Sequence, residues 1–221
     1  MQLGGWWAVF AVGDQERLAG GVTLRILGIT GNIACGKTSV GRMLLSLGAE
    51  RYIDADAVVH RLYEAGEPVA LGVGSAFGQT VLAEDGSVNR QALGVIVFND
   101  AAAMRRLEAI VHPAVHEAVR AELALVSAAG IAVLDAVKLL EGGSASLCQS
   151  IWLILCSEEQ QIQRLMQRNQ LTSEEAHARL KSQPSSRDKL SLVDEVIQND
   201  GTSEETYQQV KAAFERFCVK F

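Results

Sequence analysis

Apolar positions of two different periods alternate along this chain. Leu24 to Ile29 is a short continuous apolar run, which reads as a buried strand of a parallel sheet. A glycine-bearing turn follows, and then Val40, Met43, Leu44 and Leu47 recur at helical spacing, predicting a helix over Ser39 to Leu47. Arg51 to Asp54 reads as a short strand ending in acid, and Asp56 to Tyr63 as a helix. Val69 to Phe77 and Asn89 to Phe98 carry helical patterns, with turn residues at Gly66-Glu67-Pro68 and Glu84-Asp85-Gly86-Ser87. Ala101 to Val126 is a long helical stretch, and Pro113 inside it predicts a break or kink near His112.

The second half repeats the alternation. Gly130 to Asp135 predicts a central strand. Ile151 to Leu155 predicts another, apolar throughout and so buried on both faces. Glu158 to Asn169 reads as a helix, Thr172 to Lys181 and Ser185 to Leu190 as short polar helices or loops, and Glu195 to Gln198 as a last strand. Ser203 to Phe217 is a closing helix, and Glu141 to Gln149 and Gln183 to Arg187 are the longest linkers. Strand and helix in alternation predict an α/β protein built on a parallel sheet flanked by helices.

The turn after the first strand changes the picture from fold to chemistry. Gly31-Asn32-Ile33-Ala34-Cys35-Gly36-Lys37-Thr38 fits the phosphate-loop pattern G-x-x-x-x-G-K-[ST], and it stands between a strand and a helix, as the pattern requires. Gly31 and Gly36 allow backbone angles closed to other residues, so successive N–H groups can wrap a phosphate chain at a helix N-terminus. Lys37 can reach the β- and γ-phosphates, and the Thr38 hydroxyl can hold Mg²⁺. The pattern therefore calls for a phosphate chain with Mg²⁺.

Other polar residues fall where such a loop needs them. Ligands of open parallel sheets bind beyond the carboxyl ends of the strands. Asp54 and Asp56 stand at such an end, one suited to accept the proton of an attacking hydroxyl and the other to cap the next helix, with the assignments exchangeable. Asp135 ends a central strand in the place of an acid that holds Mg²⁺, and capping the next segment is the plainer alternative. Between Arg164 and Lys189 six basic residues face three acidic ones, a net +3 inside a chain of net charge −6. That reversal suggests a lid facing an anion, with Arg164 and Arg168 four apart on one helix face. His112 precedes Pro113 and suits packing within a substrate domain or contact with substrate; His60, His116 and His177 read as surface or helix-face residues.

Composition narrows the class further. At 221 residues and 48% hydrophobic the chain can bury one good-sized core with a lid. Its acidic balance argues against nucleic acid as a partner. No apolar run approaches the ~18 residues of a membrane span, so no membrane partner is expected. Four cysteines without C-x-x-C spacing suggest neither zinc nor a disulfide framework, and fit a reducing, cytoplasmic setting. Cys35 lies beside a helix N-terminus, where a thiol pKa tends to fall; standing in for a small serine-like residue is the plainer reading. Residues 1–23, closed off by Gly20-Gly21, are expected to be a flexible appendage outside the core fold. A homo-oligomer is left open.

In order along the chain these pieces resemble dephospho-coenzyme A kinase. Leu27 to Thr38 is similar to its phosphate loop, and Ile53-Asp54-Ala55-Asp56 to its acid motif. Asp85 to Leu93 with Val97-Phe98 resembles its middle segment, and His112-Pro113 its His-Pro pair. Arg164-Leu165-Met166-Gln167-Arg168, Leu171 to Ala176, Arg179 and Gln183 resemble its lid, and Val196 to Gly201 its last strand and turn. The resemblance implies a P-loop NTPase fold of the nucleoside-monophosphate-kinase-like kind. It would have a core over about 24–56 and 130–221, a helical coenzyme A-binding insertion over about 57–129 and a lid over about 164–190.

The reaction implied is transfer of the γ-phosphate of ATP to the ribose 3′-hydroxyl of dephospho-coenzyme A. Asp56 would be the base, Arg164 would stabilise the phosphoryl group, and Lys37 and Thr38 would serve ATP and Mg²⁺. Asp54, Asp56, His112 and Arg168 would meet the substrate. The chain departs from the family at Asn32, Ala34 and Cys35, where the loop is usually richer in glycine and has serine before its last glycine. It departs again at Val137-Lys138-Leu139-Leu140-Glu141, where a Pro-Leu-Leu run is usual. A P-loop kinase for another small acceptor such as a nucleotide, and a non-catalytic nucleotide-binding protein with a drifted loop, are the alternatives.

Overall fold

The computed structural model describes residues 24–98, 100–141, 143–183 and 185–221. The appendage expected over residues 1–23 lies outside them. The chain forms two compact units, the second being the continuous stretch Asp54–Leu125.

The first unit is built on a five-stranded sheet. Its strands are β1 (Arg25–Thr30), β2 (Arg51–Asp54, the last residue opening the second unit), β3 (Ile131–Asp135), β4 (Ser150–Leu155) and β5 (Glu195–Gln198), in the order β2-β3-β1-β4-β5. β1 pairs in parallel with β3 on one side and β4 on the other, and β4 pairs in parallel with β5. Five of the six β1 residues and all of β3 are buried, which is why both strands read as unbroken apolar runs. β4 is less uniform than its composition suggests, since Ile151 and Leu155 are only partly covered.

Helices α1 (Lys37–Ser46) and α8 (Ser203–Lys220) pack together, and Val40, Leu44, Val210, Phe214 and Phe217 join Leu27, Ile29, Trp152 and Ile154 in one core. α8 begins with a reciprocal capping box between Thr202 and Glu205. Two more helices of this unit, α6 (Glu158–Asn169) and α7 (Ser173–Lys181), pack on each other. Ser157 caps α6, a second capping box (Thr172 with Glu175) starts α7, and acids fill both first turns, matching the positive ends of the helix dipoles. The polar segment after α7 is a 3-10 helix, Ser186–Leu192, and the linker before β4 contains another, Ser144–Leu147.

The second unit contains α2 (Ala55–Leu62), α3 (Pro68–Phe77), α4 (Arg90–Val97) and α5 (Ala101–Leu123). Val69, Ala70, Val73, Val81, Leu93, Val97 and Val111 form its own core. Asn89 caps α4 and Asp100 caps α5. Of the break or kink expected at Pro113, the break does not occur: α5 runs unbroken from Ala101 to Leu123. Proline costs this helix one backbone bond. The apolar face carrying Leu107, Ile110, Val111, Ala114 and Val115 is packed into the core on both sides of it, and holds the helix together. No helix among the described residues is long and apolar enough to cross a membrane.

Candidate active site

The loop between β1 and α1 is shaped by backbone that only part of its sequence favours. Gly31 and Gly36 have φ of 151° and 99°. A side chain at Gly31 would overlap the Ile154 carbonyl, and one at Gly36 would overlap the Asn199 carboxamide, so both positions are closed to larger residues on space as well as on angle. Between them Ala34 takes a left-handed φ of 60°. That conformation costs a residue with a Cβ ~1–2 kcal/mol, and it is the price of alanine in place of a loop glycine.

The loop's donors fall into two sets. The Cys35 amide turns back on the Asn32 carbonyl at 3.3 Å, and the Ile33 amide is taken by Oε1 of Gln183 at 2.8 Å. The amides of Ala34, Gly36, Lys37 and Thr38 have no acceptor among the described residues. Gly36, the N-cap of α1, has no side chain to satisfy the helix's first amides. Four open N–H groups at a helix N-terminus make a nest for an anion. Lys37 stands at its exit with Nζ donating to the Gly31 carbonyl at 3.1 Å. Thr38 is exposed in the first turn of α1.

The loop's carbonyls are braced by residues from far along the chain. Nη1 of Arg164, on α6, donates to Ala34 O and Cys35 O, both at 3.3 Å, and approaches the Cys156 sulfur at 3.5 Å. Its Nη2 donates to Gln160 Oε1 at 2.7 Å and Asn199 O at 3.0 Å. Buried Asn199 donates from Nδ2 to Cys35 O at 2.8 Å and accepts the Thr206 hydroxyl at 3.0 Å. Arg168, one turn beyond Arg164, is exposed and donates to Asn169. Lys189 does not add to an anion-facing surface. It is buried, donates to the Val137 carbonyl at 2.9 Å and pairs with Glu141 at 3.3 Å. Lys138 is exposed.

Asp135 ends β3 in register with Ile29 of β1, next to the start of the loop. It is 3% exposed, and Oδ2 accepts the Tyr52 hydroxyl at 2.5 Å. The two acids after β2 have separate tasks. Asp54 caps α2 by accepting the Ala57 amide at 2.9 Å, while Asp56, exposed in the first turn of α2, makes no hydrogen bond among the described residues. Asp56 and His112 belong to the second unit; His112 lies half-buried on α5, its ring centroid 6.2 Å from that of His116. Burial, then the neighbouring His112 and Arg120 charges, hold the His116 pKa down.

Of the two readings of Cys35, acidification at the helix N-terminus is not met. Burial raises its pKa and outweighs the opposing pull of Lys37 and Arg164. The thiol fills core space beside Gly31 and is a poor nucleophile.

A parallel sheet whose middle strand delivers a glycine-gated loop of open amides, with a lysine at the loop's exit, defines a P-loop kinase. Within that class the chain belongs to the dephospho-CoA kinase family, whose model matches residues 25–205. A dephospho-CoA kinase of Symbiobacterium thermophilum is 42% identical over 197 residues, covering 88% of this chain and 82% of its own. A crystal structure from Thermus thermophilus superposes with a TM-score of 0.77 at 30% identity, covering 88% of this chain and 98% of that one. A dephospho-CoA kinase from Campylobacter jejuni gives a TM-score of 0.55 at 27% identity, covering 87% and 97%.

Of the bracing residues, Gln160, Tyr52 and Thr206 carry no motif of their own, and Asn199 enters only within the Val196 to Gly201 strand and turn. The one sequence signal near them is the Asn199-Asp200-Gly201 turn after the last strand.

Proposed function

We propose that this protein transfers the γ-phosphate of ATP to the ribose 3′-hydroxyl of dephospho-coenzyme A, releasing ADP and coenzyme A, in the cytoplasm. The observation that carries the reading is the nest of open amides at Ala34, Gly36, Lys37 and Thr38, in a chain of the dephospho-CoA kinase family. The nest would take the phosphates of ATP without reorganisation, which is where electrostatic catalysis gains most. Lys37 would exchange the Gly31 carbonyl for phosphate oxygens. The Arg164 guanidinium would supply positive charge beside the loop to the phosphoryl group, with Arg168 meeting the substrate.

Asp56, exposed and uncommitted, would accept the proton of the attacking hydroxyl, while Asp54 keeps α2 started and the acid pair in place. His112 is assigned to the acceptor. The oxygen donors Thr38, in the first turn of α1, and Asp135, at the end of β3, suit a hard cation that takes its remaining ligands from phosphate and water. Bound there, Mg²⁺ would neutralise charge on the β- and γ-oxygens.

A coupled ADP-release assay with ATP, Mg²⁺ and dephospho-coenzyme A, beside AMP and adenosine, tests the reading. ADP is expected with dephospho-coenzyme A alone. Release with none of the three, despite ATP binding, would overturn it.

A further inference from the structure

One donor of the loop is closed by a side chain. The Ile33 amide donates to Gln183 Oε1 at 2.8 Å across 150 positions of sequence. Gln183 follows the last turn of α7, and its own amide is tied to the Leu180 carbonyl at 3.1 Å, so the side chain is carried by a helix end. The next residue, Ala34, holds the left-handed conformation. A residue in such a conformation persists only where its surroundings over-determine it. Here the determinants bracket Ala34: Gln183 holds the amide before it, and Arg164 and Asn199 hold the carbonyls of Ala34 and Cys35.

We infer that Gln183 is a positioning residue for the nucleotide: by accepting the Ile33 amide it fixes the crest of the phosphate loop, so that the four open amides beyond it converge on phosphate. It touches neither the transferred group nor the acceptor. The bond also couples the end of α7 to the loop. This inference rests on the reading that the loop holds ATP.

The test compares Gln183→Met, which keeps length and loses the acceptor, with Gln183→Glu, which keeps an acceptor and adds charge. ADP affinity by titration, KM for each substrate, kcat and melting temperature are measured on the full chain. Losing one neutral hydrogen bond corresponds to about a five- to tenfold effect. Gln183→Met is expected to weaken ADP binding and raise KM for ATP by that factor, with kcat and KM for dephospho-coenzyme A within about twofold. Gln183→Glu is expected to melt with the wild type and to weaken ADP binding by a factor that shrinks in added salt, because its charge repels the phosphates. Wild-type ADP affinity in Gln183→Met, or a loss spread equally over both substrates together with a lowered melting temperature, would overturn the inference. If the wild type bound ADP and phosphorylated no acceptor, the kinase reading would fail, and the ADP titrations would still decide the role of Gln183.

Discussion

Asn199 and Cys35 stand 164 positions apart in sequence, yet the carboxamide of one donates to the carbonyl of the other at 2.8 Å. The same side chain accepts the Thr206 hydroxyl, so both of its halves are engaged in the interior. Asn199→Ala removes one of two bonds from each of the Cys35 carbonyl and the Thr206 hydroxyl, which keep Arg164 and the Thr202 carbonyl, at about 0.5–1.5 kcal/mol of stability per bond. Asn199→Asp is expected to be worse at neutral pH, because a carboxylate cannot donate to a carbonyl. Denaturant midpoints, with KM for ATP, check both: Asn199→Asp should lie below Asn199→Ala, and each should bind ATP more weakly than the wild type. A wild-type midpoint in Asn199→Ala would mean that the two bonds contribute nothing, and equal midpoints for the two variants would mean that the buried carboxylate adds no repulsion.

The two acids after β2 should separate cleanly. Asp56→Asn keeps the shape of the side chain and removes a base. ATP affinity is expected to hold while turnover falls by about 10²–10⁴-fold. Asp54→Ala removes the α2 cap instead, for about 1 kcal/mol of stability, and its effect on turnover should be the smaller of the two. Single-turnover rates beside equilibrium ATP binding distinguish the roles, and turnover that survives Asp56→Asn would take away its assignment as base.

Ala34 gives a prediction of opposite sign. Glycine enters the left-handed region without steric cost but loses more chain entropy on folding. Relief of ~1–2 kcal/mol of strain against ~0.5–1 kcal/mol of entropy leaves Ala34→Gly modestly more stable. Ala34→Val, with a branched side chain at the same φ, should be clearly less stable. Urea unfolding of the pair tests this, and a stability order of valine above glycine would rule it out.

The thiols predict a labelling pattern and a pH dependence. Burial raises Cys35, pushes Cys148 up to about 12 and Cys156 up to about 11, while Cys218 is exposed. A thiol reagent should modify one cysteine quickly in the folded protein and the other three only on unfolding. These folded-state pKa values lie above the ordinary 9.0. The folded chain therefore keeps protons that the unfolded chain releases. The stability involved is complete below about pH 9 and declines as pH rises toward 11–12. Denaturant midpoints rising from pH 9 to 10 would contradict the assignment.

The phosphate loop, the strands beside it and the strand-end acids were legible because each depends on local pattern: an apolar run, a glycine spacing, a helical period. Pro113 does not end its helix because the local rule concerns one lost backbone bond, and the packed face on both sides of it outweighs that loss. At Cys35 the lowered thiol pKa, the less plain of its two readings, fails for a related reason. Position beside a helix end is visible in sequence, whereas desolvation depends on what else packs there. Gln183 and Asn199 touch the loop across 150 and 164 positions, and no window of sequence contains both ends of such a contact.

The continuity of Asp54–Leu125 bears on the order in which the protein comes into being during synthesis. That stretch carries its own core and can fold once it has left the ribosome. The phosphate loop is translated earlier and must wait. Its flanking strands β3 and β4, the Arg164 and Gln183 contacts and the Asn199 support all emerge later, the last of them some 160 residues behind the loop. The loop is thus translated well before the residues that brace it. A ribosome-bound chain truncated before Asn199 should lack a finished loop.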